Sequence, residues 1–159
     1  MTKYFTVLIA FLITIGSQAS SKDGFFYDHT LTAERVKNIG SAFVHLADNA
    51  GMGCWTNLKE SREYAEEKLR IQGIEVDDSN TYPSALNKHY QFTISVSAGR
   101  LTDRSSPCTG DIRVALLGYA TINGVGHMSS LGERNMRFVQ PNANMVVIDL
   151  LKETFDLFP

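Results

Sequence analysis

Two cysteines, Cys54 and Cys108, constrain the possible folds of this chain more than any other feature of its sequence. They are its only cysteines, and neither has a CxxC partner or a neighbouring histidine with which it could share a metal. An even pair of cysteines in an exported chain is most simply one disulfide. We therefore predict a Cys54–Cys108 bond, which closes a loop of about fifty residues and contributes about 4 kcal/mol in the chain-entropy model.

Export itself is predicted from the amino terminus. Lys3 supplies a positive charge, residues 5–15 are apolar or threonine, and small residues precede a cleavage point after Ala19. The apolar run covers only about half of a ~30 Å hydrocarbon core at ~1.5 Å per helical residue, so it is too short for a membrane anchor. We expect a signal peptide at 1–19, a mature domain at 20–159, a periplasmic or secreted location, and no membrane span after cleavage.

The predicted disulfide also restricts the path of the chain. Cys54 follows the first strand, and Cys108 follows a later strand at 90–101. Because a disulfide needs Cα atoms within about 7 Å, both strands must end on the same side of the domain. Residues 77–89 can span about 40 Å when extended, enough to return the chain across the domain. We therefore predict that the strand at 90–101 runs parallel to the first strand.

Two helices are predicted from local patterns. The first, at 57–72, has Asn57 and Glu60 at capping-box spacing, an i,i+4 pair of Glu66 and Arg70, and Gly73 as its stop. The second, at 144–157, places four apolar side chains on one face: Val147, Leu151, Phe155 and Phe158.

Strands account for most of the remaining chain. Residues 32–50 fit helical spacing in part, but the alternation at 39–46 favours a strand there. Further strands are predicted at 74–76, 90–101 and 111–122, and Asn123-Gly124 is a hairpin turn whose returning strand is interrupted or bulged at 129–135. The layout predicts a single two-layer α+β domain, with an antiparallel-rich sheet of about four to five strands and both helices (57–72 and 144–157) on one face.

Several chemistries lack their sequence patterns. The net charge of −2 gives no field that would favour nucleic acid or an anionic membrane. The four histidines are scattered singly, and the mature chain has no GxSxG, SxxK, GxGxxG or P-loop motif. The sequence therefore favours a protein without a metal or a cofactor, and a non-catalytic role over an enzyme.

Six residues are candidates for binding. Trp55 either packs against the neighbouring disulfide or anchors an interface from an exposed loop. Arginines could share one end of the sheet and contact an anion or a polar peptide, although solubilising surface positions are the favoured interpretation. These arginines are Arg100, Arg104, Arg113, Arg134 and Arg137.

Two classes of function remain open. We expect an exported, non-catalytic protein that binds or helps to assemble another envelope protein or peptide, through a sheet edge or the loop at 51–55. The alternative is a small hydrolase-like enzyme or a ligand carrier, whose site would be built from non-adjacent residues. A deep pocket with convergent polar groups would favour that alternative.

Overall fold

The computed structural model describes residues 39–77 and 89–157. The predicted signal peptide, the lead-in at 32–38, the crossover at 78–88 and Phe158 lie outside the described residues. Seven elements follow along the chain: β1 (Ser41–Ala50), α1 (Leu58–Ile71), β2 (Glu75–Val76), β3 (His89–Arg100), β4 (Cys108–Ile122), β5 (Val125–Gln140) and α2 (Asn144–Phe155).

The strands form one five-stranded sheet in the order β2-β1-β3-β4-β5. β1 pairs in parallel with both β2 and β3, whereas β3 with β4 and β4 with β5 are antiparallel. Both helices pack against this sheet, so the predicted α+β fold is confirmed. The parallel pairing of β3 with β1, which was predicted from the disulfide, is confirmed as well.

The core lies between the sheet and the two helices. Side chains alternate along β3, and Phe92, Ile94 and Val96 are fully buried. Their direct partners on β4 are also buried, because paired residues point to the same face of a sheet: Leu116, Val114 and Ile112. The helices cover this face with fully buried leucine and valine side chains, and the ring of Phe155 stacks on Phe92 at 5.1 Å between centroids.

The first helix begins and ends near the predicted positions, but its start is built differently. The Asn57 side chain makes no capping hydrogen bond to the helix. Its Nδ2 donates instead to Glu60 Oε2 and to the backbone oxygen of Asn144, each at 3.4 Å. The predicted capping box is therefore wrong. The Asn57 side chain does not cap α1 but links the beginnings of α1 and α2. Gly73 ends the helix as predicted, with φ of 77°.

The stretch at 32–50, which fits helical spacing in part, contains β1: among its described residues, Ser41–Ala50 form a strand. β1 continues past the predicted end at residue 46, because Ala47 to Ala50 pair with Ser95 to Ala98 of β3. Ala42 and Val44 lie on the buried side of the sheet. The strand conformation of this segment thus depends on pairing partners about fifty residues away, as is usual for strands.

The β4–β5 hairpin turns at Asn123 and Gly124, which both have positive φ, as a two-residue type I′ turn requires. The predicted interruption in β5 is a bulge: Leu116 pairs with Gly132 and Leu117 with Ser130, so that Leu131 is the extra residue. Beyond Gly118, β4 does not pair with β3 within the described residues, and the hairpin continues as a two-stranded arm. We call residues 119–130 the arm.

Candidate functional site

The disulfide joins two loops at one end of the sheet. Cys54 and Cys108 are bonded as predicted, with their Cα atoms 5.7 Å apart, and both are fully buried. The first loop, residues 51–57, connects β1 to α1, and the second, residues 101–107, connects β3 to β4. We call these two loops together the tip. Because the bond fixes both loops to the core, the tip is held in one place.

Arg100 adds a second link across the tip. Its Nε donates to the backbone oxygen of Met52 at 3.2 Å, and its Nη1 donates to the backbone oxygen of Ser106 at 2.5 Å. The backbone N–H of Gly51 also donates to the Ala98 oxygen at 2.9 Å. The guanidinium of Arg100 therefore bridges the two loops, and two of its donors are used inside the molecule instead of on an anion.

Asp103 orders the second loop from within. Its Oδ1 accepts hydrogen bonds from the backbone N–H and the hydroxyl of Ser105, at 2.8 and 2.6 Å. Ser106 donates in the same two ways, at 3.0 and 3.1 Å. These hydrogen bonds, first the one from the Ser105 hydroxyl, lower the pKa of Asp103 from 3.8 to about 2. The carboxylate therefore stays ionised, and the loop stays tied, over all ordinary pH values.

Two large apolar side chains are exposed on this ordered framework. Met52 is 62% exposed, and Leu101 is 63% exposed. Met52 also has a φ of 54°, a left-handed conformation that non-glycine residues adopt only where the surroundings impose it. Arg104, on the second loop, is exposed too. The tip thus presents apolar surface and a cationic side chain on loops that cannot easily fold over them.

Trp55 is a core residue of this end of the molecule. It is only 3% exposed and belongs to the same buried cluster as Cys54 and Cys108. Trp55 therefore packs beside the disulfide in the core, and Trp55 is not an exposed interface anchor. Its indole Nε1 has no hydrogen-bond partner within the part of the chain that the structure describes.

The arginines are not gathered at one end of the sheet. Arg113 pairs with Glu133, and Arg137 pairs with Asp111 at 3.1 Å, on the face away from the helices. Arg134 is the register partner of Val114, so it lies on the helix side, where its Nη2 is 3.6 Å from Glu153 Oε2. Alternation along β4 and β5 separates these residues, and only Arg100 and Arg104 belong to the tip.

The Arg113–Glu133 pair is the most developed polar contact of the open face. The guanidinium lowers the pKa of Glu133 through its hydrogen bonds, against the partial burial that raises it. Asn135 Nδ2 also donates to this carboxylate, at 3.3 Å. The two opposite charges of this pair therefore neutralise each other on the sheet surface.

One cavity of about 320 Å³ lies where β5 leads into α2. It is lined by Gln140, Pro141, Asn142, Met145, Val146 and Asp149. Over 39–77 and 89–157 there is no group of three His, Cys, Asp or Glu side chains that could hold a metal ion. No helix in these ranges is long and apolar enough to cross a membrane.

The sequence pointed to the loop at 51–55, which contains Met52, but it singled out neither Met52 nor Leu101, although a signal for each was present. Met52 stands between two glycines, Gly51 and Gly53, where a large apolar side chain has no regular element to pack under. Leu101 continues the register of the polar residues of β3 that point away from the helices: Gln91, Thr93, Ser95 and Ser97. A register of polar residues indicates a face outside the hydrophobic core, so an apolar residue that continues this register is a candidate for exposure.

Comparisons with known proteins add little to what the structure shows. No protein-family model and no curated protein matches the chain. Among solved structures, it is similar to the PelC dodecamer from Paraburkholderia phytofirmans, with 12% sequence identity, a TM-score of 0.45, and coverage of 75% of this chain and 87% of that chain. At this TM-score the likeness says nothing about function, which has to be inferred from the residues themselves.

Proposed function

We propose that this protein is an exported, non-catalytic binding protein, and that it binds another component of the cell envelope through the tip. The observation that carries the proposal is the exposure of Met52 and Leu101 on loops that the disulfide and Arg100 hold in place. Apolar side chains on loops that are already ordered can be buried by a partner without the cost of ordering those loops.

The energetics of the tip support binding to a folded partner. Burying a Met or Leu side chain fully is worth about 1.5–3 kcal/mol, so the two together can contribute several kcal/mol. Association usually loses part of this gain to the ordering of loops. Here the disulfide, the bridge from Arg100 and the hydrogen bonds of Asp103 order the loops beforehand.

The partner that fits is a protein surface with an apolar pocket. Arg104 is an exposed residue of the second loop, three positions after Leu101, and its guanidinium can pair with a carboxylate or a carbonyl oxygen of a partner. Rim contacts of this kind set orientation and selectivity more than affinity. We therefore expect Met52 and Leu101 to provide most of the binding free energy and Arg104 to contribute mainly to orientation and selectivity.

Export supports the same proposal. Disulfides persist in oxidising compartments, and the amino-terminal pattern is that of a secretory signal peptide. In the exported protein, mass spectrometry should find a chain that begins at Ser20. A chain that retains Met1 and the apolar run at 5–15 would contradict this part of the proposal.

The binding role is tested by affinity capture from envelope extract with three forms of the mature protein. The wild type and Met145→Ser should retain the same partner, whereas the Met52→Ser/Leu101→Ser double variant should lose it. Met145 is the matched control, because it is 66% exposed but lies on α2.

With the purified partner, the double variant should bind at least about tenfold more weakly, since each 1.4 kcal/mol is a factor of ten. Its melting temperature should stay that of the wild type, because both side chains face solvent. Equal capture by all three forms would contradict binding through the tip.

A further inference from the structure

The arm is a second feature of the surface, separate from the tip. β3 last pairs with β4 at Gly118, whereas the pairing of β4 with β5 continues to Ile122 and Val125. β5 is the last strand in the sheet order, so its outer edge has no partner strand in the part of the chain that is described. Every residue of β5 from Val125 to Ser130 is exposed, and Met128 has 43% of its surface in solvent.

The arm also lacks the charges that usually protect such an edge. The 19 residues between Arg113 and Glu133 include no Asp, Glu, Lys or Arg, in a chain that is 20% charged. Natural edge strands discourage pairing with other chains by means of charges, prolines and bulges. In β5 the bulge at Leu131 and the charges begin only after the arm ends.

The turn determines which backbone groups face outward. In a hairpin closed by a two-residue turn, the flanking residues Ile122 and Val125 form a hydrogen-bonded pair, and such pairs then alternate along the ladder. Gly126, Met128 and Ser130 therefore direct their backbone N–H and C=O groups away from β4. Within the described residues these groups have no partner strand, and they lie on a segment without Asp, Glu, Lys or Arg.

We propose that this edge pairs antiparallel with the same edge of a second copy of the chain, around a two-fold axis through the arm. With the axis at Met128, the two methionines face each other and Gly126 faces Ser130. Glu133 then falls opposite the partner's turn, at Asn123, so the charged half of β5 stays outside the pairing. A second copy is therefore matched to this edge in charge and in length.

A foreign strand would fit this edge less well. A segment without charges offers another protein no electrostatic feature to recognise, and selectivity between partners depends on such features. Around a two-fold axis the same segment of each copy meets itself, so like charges would face each other, and the arm has no Asp, Glu, Lys or Arg that would repel its copy. The occupant of the edge is accordingly another copy of this chain.

The first experiment measures the molar mass of the mature protein by size exclusion with light scattering over a range of concentrations. The wild type should approach twice the monomer mass as concentration rises. Met128→Lys should remain a monomer, because two ammonium groups would meet at the axis. Met145→Lys, the same change at an exposed methionine of α2, should dimerise like the wild type.

A second variant tests the axis directly. Both native cysteines are in the disulfide, so Met128→Cys introduces a single free thiol. Mild oxidation should link two copies through this thiol, and Met145→Cys should not form the linked dimer. A wild type that stays monomeric at every soluble concentration would overturn the proposal, and so would a dimer that Met128→Lys leaves intact. Met52→Ser should dimerise normally, so this proposal and binding through the tip can fail separately.

Discussion

Removal of the Cys54–Cys108 bond should destabilise the domain by about 4 kcal/mol. The bonded residues are 54 positions apart, and the chain-entropy relation gives a loss of about 14 cal/mol/K for a loop of this size, or about 4 kcal/mol at 25 °C. Domains of this size are usually stable by about 5–15 kcal/mol. The bond is therefore a large part of the free energy of unfolding.

Two perturbations separate the contribution of the bond from that of the sulfur atoms. Reduction of the wild type opens the loop but leaves both sulfurs in the core, where the cysteines are fully buried. The Cys54→Ala/Cys108→Ala variant also leaves a small cavity, which should cost about 1–2 kcal/mol more. The reduced wild type should therefore lie between the oxidised wild type and the variant in stability.

Urea unfolding can be followed by the fluorescence of Trp55, the single tryptophan, which is buried beside the bond. With a slope of about 2 kcal/mol/M, the midpoint of the reduced protein should fall by roughly 2 M. Unfolding curves recorded with and without dithiothreitol give the loop contribution directly. A loss below about 1 kcal/mol on reduction would refute the reasoning, because it would mean that the bond does not restrict the unfolded chain.

Three further changes test the sheet and the core. Gly110→Ala should destabilise by at least about 2 kcal/mol in thermal melts, because the new Cβ would stand 2.1 Å from the backbone oxygen of Ser97; an unchanged melting temperature would mean that the strands separate freely there. Leu151→Asp should cost about 4 kcal/mol or more, through lost packing and an unpaired buried charge, and a wild-type melting temperature would show that α2 is not docked. Glu133→Gln should cost up to about 1 kcal/mol at pH 7 by removing the ion pair with Arg113. The pKa of Glu133 is lowered in the fold, so the ion pair stabilises the folded state above the ordinary pKa of a glutamate, and this stabilisation is lost as the pH falls through the pKa of the folded state. The stabilities of wild type and variant should therefore converge in acid. A difference in stability that persists in acid would contradict the ion pair.

The helices and the turn could be predicted because their signals are local. Helix periodicity at 57–72 and 144–157 corresponds to α1 and α2 to within two residues at each end. Asn123-Gly124 predicted the hairpin, because only residues that tolerate positive φ make a two-residue turn between strands. The disulfide added one long-range constraint, and the parallel pairing of β1 with β3 followed from it.

The candidate site depended on neighbours that a local pattern does not contain. Trp55 could be interpreted as packed or exposed, and the buried cluster to which it belongs is assembled from residues between Ile39 and Phe155. The sequence allowed the arginines to share one end of the sheet, but the register of β4 with β5 places Arg113 and Arg134 on opposite faces. Arg100 donates hydrogen bonds to backbone oxygens of two loops that are close together only in the folded protein.

By itself, the sequence determined the elements whose information lies within a few residues, together with the bond between the two cysteines. The tertiary structure alone decided the order of the strands, the faces of the arginines, the burial of Trp55 and the exposure of Met52 and Leu101 at one end. The physical reason is the range of the interactions. Capping, periodicity and turn conformation act between near neighbours, whereas strand register and burial are set by partners far along the chain, such as β3, about fifty residues from β1.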